Sequence, residues 1–296
     1  MAKSRFGILL GRFATPLVGR FATPVVRFGT PLAHATLFIA VSALAAGSAR
    51  ADTVDVFAAG SLRGVVTTLA KEAGPALNIE VNPSFGGSGT LRERIEKGEK
   101  ADLLLSADLG SPRKLESQGR TVVPVIAFAR NRLCIISRKS AGVTAANFID
   151  RMLAPQVRLK TSAPIVDPGG DYAWALFDEI DRTRPGAGAT LKGKAQTVMN
   201  AVAAMAPASQ GAAALFSSKQ IDMSITYCSG SSALEKDLPE LASLEVPAQL
   251  DPHPIYGIAV LTTNPAAMRL ALFLLSDKGQ EIIAKENLIP LLEPRR

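Results

Sequence analysis

The sequence predicts an α/β protein of two lobes around a ligand cleft, and three observations lead there. Short apolar runs alternate with helix-like stretches over residues 52–118, which favours strands covered by helices on both faces. A second alternating series occupies 130–250, and further helices follow it. Four loops also share one layout: a strand end, then small or hydroxyl residues, then a helix start or turn. In open α/β sheets that is where ligands sit.

The elements read as follows. Val54–Ala58 is a strand and Leu62–Ala73 a helix. Asn78–Asn82 is a strand, Thr90–Lys97 a helix, Asp102–Ser106 a fully buried strand and Ser111–Gln118 a helix. This βαβαβα order predicts a mixed, mostly parallel sheet. Leu133–Ser137, Asp222–Thr226 and Ile255–Thr262 are later strands. Tyr172–Arg182, Leu191–Met205, Gly211–Ser218, Pro265–Leu275 and Lys278–Glu286 are helical. The expected division is 52–129 plus 251–296 for the first lobe and 130–250 for the second. Crossovers near Phe128–Arg132 and Gln249–Pro254 would form the hinge.

The 296 residues are 47% hydrophobic and 20% charged, with a net charge of +7. The basicity is local. Residues 1–51 hold six basic side chains, from Lys3 to Arg50, and no acidic one. Taking those six from the 33 basic residues leaves 27 against 26 acidic ones, so the body lacks the basic footprint of a nucleic-acid binder. The same 51 residues read as a signal peptide. A long basic region with a degenerate repeat (GRFATPLV, GRFATPVV, RFGTPLA) precedes the apolar run Leu37–Ala46 and the A-x-A site Ala49-Arg50-Ala51. Cleavage near Ala51 would release the chain to the periplasm. In an oxidising compartment Cys134 and Cys228 could pair, or they could remain two buried thiols; the sequence leaves both open.

The four loops are Phe57-Ala58-Ala59-Gly60-Ser61-Leu62, Ser84-Phe85-Gly86-Gly87-Ser88-Gly89-Thr90, Asp167-Pro168-Gly169-Gly170-Asp171-Tyr172 and Thr226-Tyr227-Cys228-Ser229-Gly230-Ser231. Each would bring backbone N–H groups and hydroxyls to a helix start, an arrangement that favours anions. Taken singly, Ser61 and Ser88 could be plain helix caps, and the glycines could serve only tight turns. No lysine follows the glycine loop, so it is not a phosphate loop of the G-x-x-x-x-G-K-[ST] kind. Donors alone suit a fully ionised oxyanion, whereas a protonated anion would also want a carboxylate acceptor.

Enzyme chemistry is poorly supported. His253 is the one histidine beyond residue 51, Ser61 lies outside any G-x-S-x-G elbow, and no ligand-spaced cluster for a metal cation occurs. GGSG also lacks the spacing of a dinucleotide fingerprint.

FAAGSL, FGGSGTL followed by R-x-x-I-x-x-G, ADLLLSAD, the DPGGDYA turn and the ITY strand end occur in that order. Together they resemble the periplasmic molybdate-binding proteins of ABC transporters, most strongly over 54–108. That resemblance implies a two-lobed periplasmic binding protein that is no enzyme and needs no cofactor. It would capture molybdate or tungstate between its lobes and deliver it, as a monomer, to an inner-membrane ABC permease. By motif match, Ser61 and Ser88 donate from the first lobe and Tyr227 from the second. A backbone N–H at Gly169 or Gly170 and another near Ser209 complete the set. The pattern departs from the family in a shortened turn before Tyr172, in Asp171, read here as a helix cap, and in Cys228 where glycine is usual. A different ligand (sulfate, phosphonate or a small organic acid) and an accessory or sensory role are the alternatives.

Overall fold

In the computed structural model, residues 51–206 and 210–291 are described. The signal peptide over 1–51, apart from Ala51, and Ser209 therefore lie outside the described residues.

The chain builds two sheets. In the first, β1 (Asp52–Ala59), β2 (Ile79–Gly86), β3 (Leu103–Ser106), β4 (Ile126–Arg130), β9 (Ile255–Val260) and β10 (Ile289–Pro290) stand in the order β10-β4-β9-β3-β1-β2. In the second, β5 (Leu133–Arg138), β6 (Leu159–Lys160), β7 (Met223–Tyr227) and β8 (Leu241–Glu245) stand in the order β6-β7-β5-β8. The chain thus crosses between sheets twice, at Asn131–Arg132 and between Glu245 and Ile255. Both sheets are mixed. β1 pairs in parallel with β2 and β3, and β6 with β7, but β3–β9, β4–β9, β10–β4, β5–β7 and β5–β8 are antiparallel. Antiparallel pairs outnumber parallel ones because strands entering after each crossover run back against the sheet.

The helices are α1 (Arg63–Leu77), α2 (Ser88–Glu96), α3 (Gly110–Ser117), α4 (Phe148–Leu153), α5 (Pro168–Thr183), α6 (Ala187–Ala203), α7 (Ala212–Ser217), α8 (Ser231–Asp237), α9 (Pro265–Leu275) and α10 (Asp277–Lys285). α1 buries Val65, Val66, Leu69 and Ala73, an i, i+1, i+4, i+8 stripe, against the first sheet. It runs past Pro75 to Leu77 and ends on Asn78, which takes the left-handed conformation at φ 52°.

β2 continues through Pro83, beyond the expected end at Asn82. It can do so because it is the edge strand, where one row of N–H groups has no ladder partner to lose. β4, β8, α4 and α8 carry no strong sequence signal. β8 alternates only weakly at an edge, and the other three are short.

The pairing sets the site. Ala59 at the end of β1 sits opposite Gly86 at the end of β2, and Ala58 opposite Leu105 of β3. The carboxyl ends of three parallel strands therefore finish side by side, each running into a turn or helix start.

Candidate functional site

Where those strand ends meet the second sheet lies a cavity of about 250 Å³. Gly60, Ser61, Gly87, Ser88 and Ala107 line it from the first sheet, and Ser162, Asp167, Gly169, Thr226 and Tyr227 from the second. All four sequence loops contribute. The volume falls below the roughly 300–1,000 Å³ of pockets for drug-sized ligands, so the occupant is small.

Ser88 opens α2 and is fully buried. Its Oγ accepts the Ala107 N–H at 3.0 Å, which leaves its own proton to donate. Ser61 is oriented by a chain of bonds. The Asn131 amide donates to Ser229 Oγ at 2.9 Å and to Tyr256 Oη at 3.0 Å. Tyr256, buried completely, lies 2.9 Å from Ser61 Oγ. With Asn131 as donor, Tyr256 has its proton free for Ser61, and Ser61 then has its proton free for the cavity. Asn131 stands in one crossover and Tyr256 just after the other. Neither was visible as a site residue in the sequence, where Tyr256 reads as strand core.

Tyr227 ends β7 and is 7% exposed. Its hydroxyl is buried and has no hydrogen-bond partner among the described residues. Burial, first of all, raises its pKa well above the ordinary phenol value, with neighbouring phenols and carboxylates adding to the effect. It therefore stays a neutral donor at physiological pH. Rings of Tyr172 and Tyr256 pack edge-on at 6.3 and 5.7 Å and fix its direction.

The DPGGD turn differs from expectation. Asp167, not Asp171, caps α5: its carboxylate accepts the Gly169 N–H at 2.9 Å, and its carbonyl accepts the Gly170 N–H at 2.9 Å. Asp171 comes too late in the helix to cap it and instead accepts the Ile165 N–H at 3.0 Å, bracing the preceding loop. Gly169 lines the cavity with its N–H already engaged by a carboxylate. Gly170 does not line the cavity: its N–H donates to the Asp167 carbonyl, and a Cβ there would lie 2.5 Å from the backbone of Ala163 and Pro164. The carboxylate of Asp167, which caps α5 and lines the cavity, is the feature of this site that the sequence did not assign to that residue.

Gly87 and Gly89 have a use beyond their own turn. A Cβ on Gly87 would lie 2.3 Å from the Val166 carbonyl oxygen, and one on Gly89 1.9 Å from that of Ile165. The Thr90 N–H donates to the Val166 carbonyl at 3.2 Å. The loop before α5 thus rests directly on the start of α2 and covers one side of the cavity. Ile165 takes φ 74° there, a costly conformation for a β-branched residue.

Cys134 and Cys228 form a disulfide, with Cα atoms 4.9 Å apart. That accounts for a cysteine following Tyr227.

Residues 54–286 match the family described as bacterial extracellular solute-binding protein. An uncharacterised protein of Pasteurella multocida is 34% identical over 219 residues, covering 73% of this chain and 89% of that one. Among solved structures, the Azotobacter vinelandii periplasmic molybdate-binding protein aligns with a TM-score of 0.62 at 18% identity, over 81% of this chain and 100% of its own. The sulfate-binding protein SubI of Mycobacterium tuberculosis also gives 0.62, at 17% identity, over 81% and 87%. At such identities the likeness establishes the periplasmic-binding-protein fold, and it does so equally with a molybdate binder and a sulfate binder.

Proposed function

The chain belongs to the bacterial extracellular solute-binding proteins, and from that premise we propose that it captures a small tetrahedral oxyanion between its two lobes for an ABC importer. Molybdate and tungstate are the first ligands to test, because the first-lobe motifs are those of molybdate-binding proteins. The observation that carries the reading is the Tyr227 hydroxyl, a buried donor with no partner among the described residues, in the same cavity as Ser61 and Ser88. A ligand oxygen would satisfy it.

Capture would proceed by hinge closure about the two crossovers. Taking 52–129 plus 251–296 as one lobe and 130–250 as the other, the open cleft offers Ser61 and Ser88. Closing adds Tyr227 and seats the Ile165–Val166 backbone on Gly87 and Gly89. The anion favours the closed state because only that state supplies both sets of donors. The protein would act as a monomer in the periplasm.

Asp167 favours a second reading. A carboxylate in the cavity repels a fully ionised anion but accepts a hydrogen bond from the P–OH of hydrogen phosphate or a phosphonate monoanion.

Calorimetric titration of the mature chain with molybdate, tungstate, sulfate and phosphate separates these. Tight one-to-one binding of molybdate and tungstate is expected. Phosphate binding above both would establish the second reading, and no binding of any would overturn the oxyanion assignment. Ser88→Ala should weaken binding by about 1.5–3 kcal/mol, the worth of a hydrogen bond to a charged group.

A further inference from the structure

Beside the oxyanion cavity lies a second hollow of about 350 Å³, and the two share Gly87, Ser162 and Asp167 as a common wall. Its other surfaces are mixed. Lys160, Thr161, Thr90 and Gln210 supply polar groups, while Met199 and Val202 of α6 supply an apolar side. Lys160 is the last residue of β6, so it too stands at a strand carboxyl end in the second sheet.

The state of Lys160 is unusual for this chain. Its ammonium has no ion-pair or hydrogen-bond partner among the described residues, although burial is strong enough to lower its pKa against the opposing pull of Asp167. Lys194, the other lysine whose pKa burial lowers, donates to the Ala154 carbonyl. Lys160 is half-buried and lines this hollow, so its ammonium is within reach of a bound anion and free to form a charge-assisted pair with one.

We propose that this hollow is a second subsite, in which Lys160 holds a carboxylate or similar acidic group carried on a short organic arm of the bound oxyanion. The ligand class is then a two-headed acid. Its tetrahedral head lies among Ser61, Ser88 and Tyr227, its arm passes the Asp167–Ser162 wall, and its second head meets Lys160. The apolar face of Met199 and Val202 suits the methylene carbons of such an arm. This inference rests on the oxyanion reading of the main cavity in its phosphonate form, the reading that Asp167 favours, and specifies what else that ligand bears; molybdate and tungstate would fill the head site alone.

The test uses a matched pair of probes, methylphosphonate and phosphonoacetate, which share one head and differ in the carboxylate. Titration of the purified chain should show phosphonoacetate binding about 10-fold or more tighter, as expected for a charge-assisted pair. In Lys160→Met that ratio should fall to near one, and Lys160→Arg should keep most of it. Melting curves of both variants establish that they remain folded. If Lys160 merely balances the field of Asp167, the methionine variant weakens both probes equally and the ratio persists, which overturns the proposal. Equal binding of the two probes to the unaltered chain overturns it as well, while leaving the oxyanion site intact. Binding of neither probe nor of molybdate overturns both readings.

Discussion

A buried hydroxyl without a partner is a liability in a protein that has nothing to bind. Tyr227 is such a group, and this sets up opposite effects on stability and affinity. Replacing it with phenylalanine removes an unsatisfied polar atom from a site that is 7% exposed, so the ligand-free protein should be as stable or more stable. Ligand affinity should fall by about 1–3 kcal/mol, the loss of a donor to an anion. Urea melts without ligand and titrations with molybdate read the two quantities separately. A destabilised variant with unchanged affinity would make Tyr227 a packing residue. Ser61, Ser88 and Tyr227 are singled out by the order of their motifs and the family these resemble, since each hydroxyl taken alone reads equally well as a helix cap or a core residue. Asn131 and Tyr256 stayed hidden, since their role arises only from the meeting of two crossovers far apart in sequence. Asp167 was legible as a turn residue but not as the cap of α5 that also lines the cavity. The adjacent Asp171 has the same chemistry, and only the helix start at Pro168 tells them apart.

Helix α2 shows how an element can be shaped by what lands on it. A glycine in a helix interior costs about 1 kcal/mol relative to alanine, and in the first turn somewhat less, so Gly89 weakens α2 modestly taken alone. It is tolerated because the Ile165 carbonyl oxygen occupies the place of a side chain, 1.9 Å from where a Cβ would be. Gly89→Ala should therefore raise or preserve the melting temperature of the open, ligand-free protein. It should also lower ligand affinity by 10-fold or more, because the loop cannot seat without backbone movement. A lowered melting temperature with unaltered affinity would mean that the contact is permanent and takes no part in closure. The sequence displayed this loop plainly as SFGGSGT and placed the helix after it within two residues. It could not display the backbone of residues 165–166, which supplies the reason for two of the glycines. The same limit applies to the sheets. Local patterns marked β1, β2, β3, β5, β7 and β9, but pairing direction depends on where the chain returns, and the first three strands alone suggested more parallel pairing than the whole contains.

At the scale of the molecule, the disulfide bears on the stability of the second sheet and, on the hinge reading proposed above, leaves closure free. Cys134 lies one residue into β5 and Cys228 directly after β7, strands paired through Leu133 and Tyr227. Both cysteines belong to the second sheet, so the bond does not span the crossovers. It should not restrict closure. It does close a long stretch of chain, with a separation of 94 residues, and chain entropy gives such a cross-link about 2–5 kcal/mol. The Cys228 N–H also donates to the Arg132 carbonyl at 2.9 Å, tying the strand end that carries Tyr227 to the first crossover. Reduction should therefore lower the unfolding temperature, with loss of amide protection beginning in β5 and β7. Well below that temperature, anion binding should persist, because the β5–β7 ladder still holds Tyr227 in register. Melting curves and titrations with and without a phosphine reductant give both quantities. Should binding vanish while the fold stays intact, the disulfide would be part of the site's own geometry. In that case Tyr227 would owe its direction to the bond after it more than to the aromatic rings beside it.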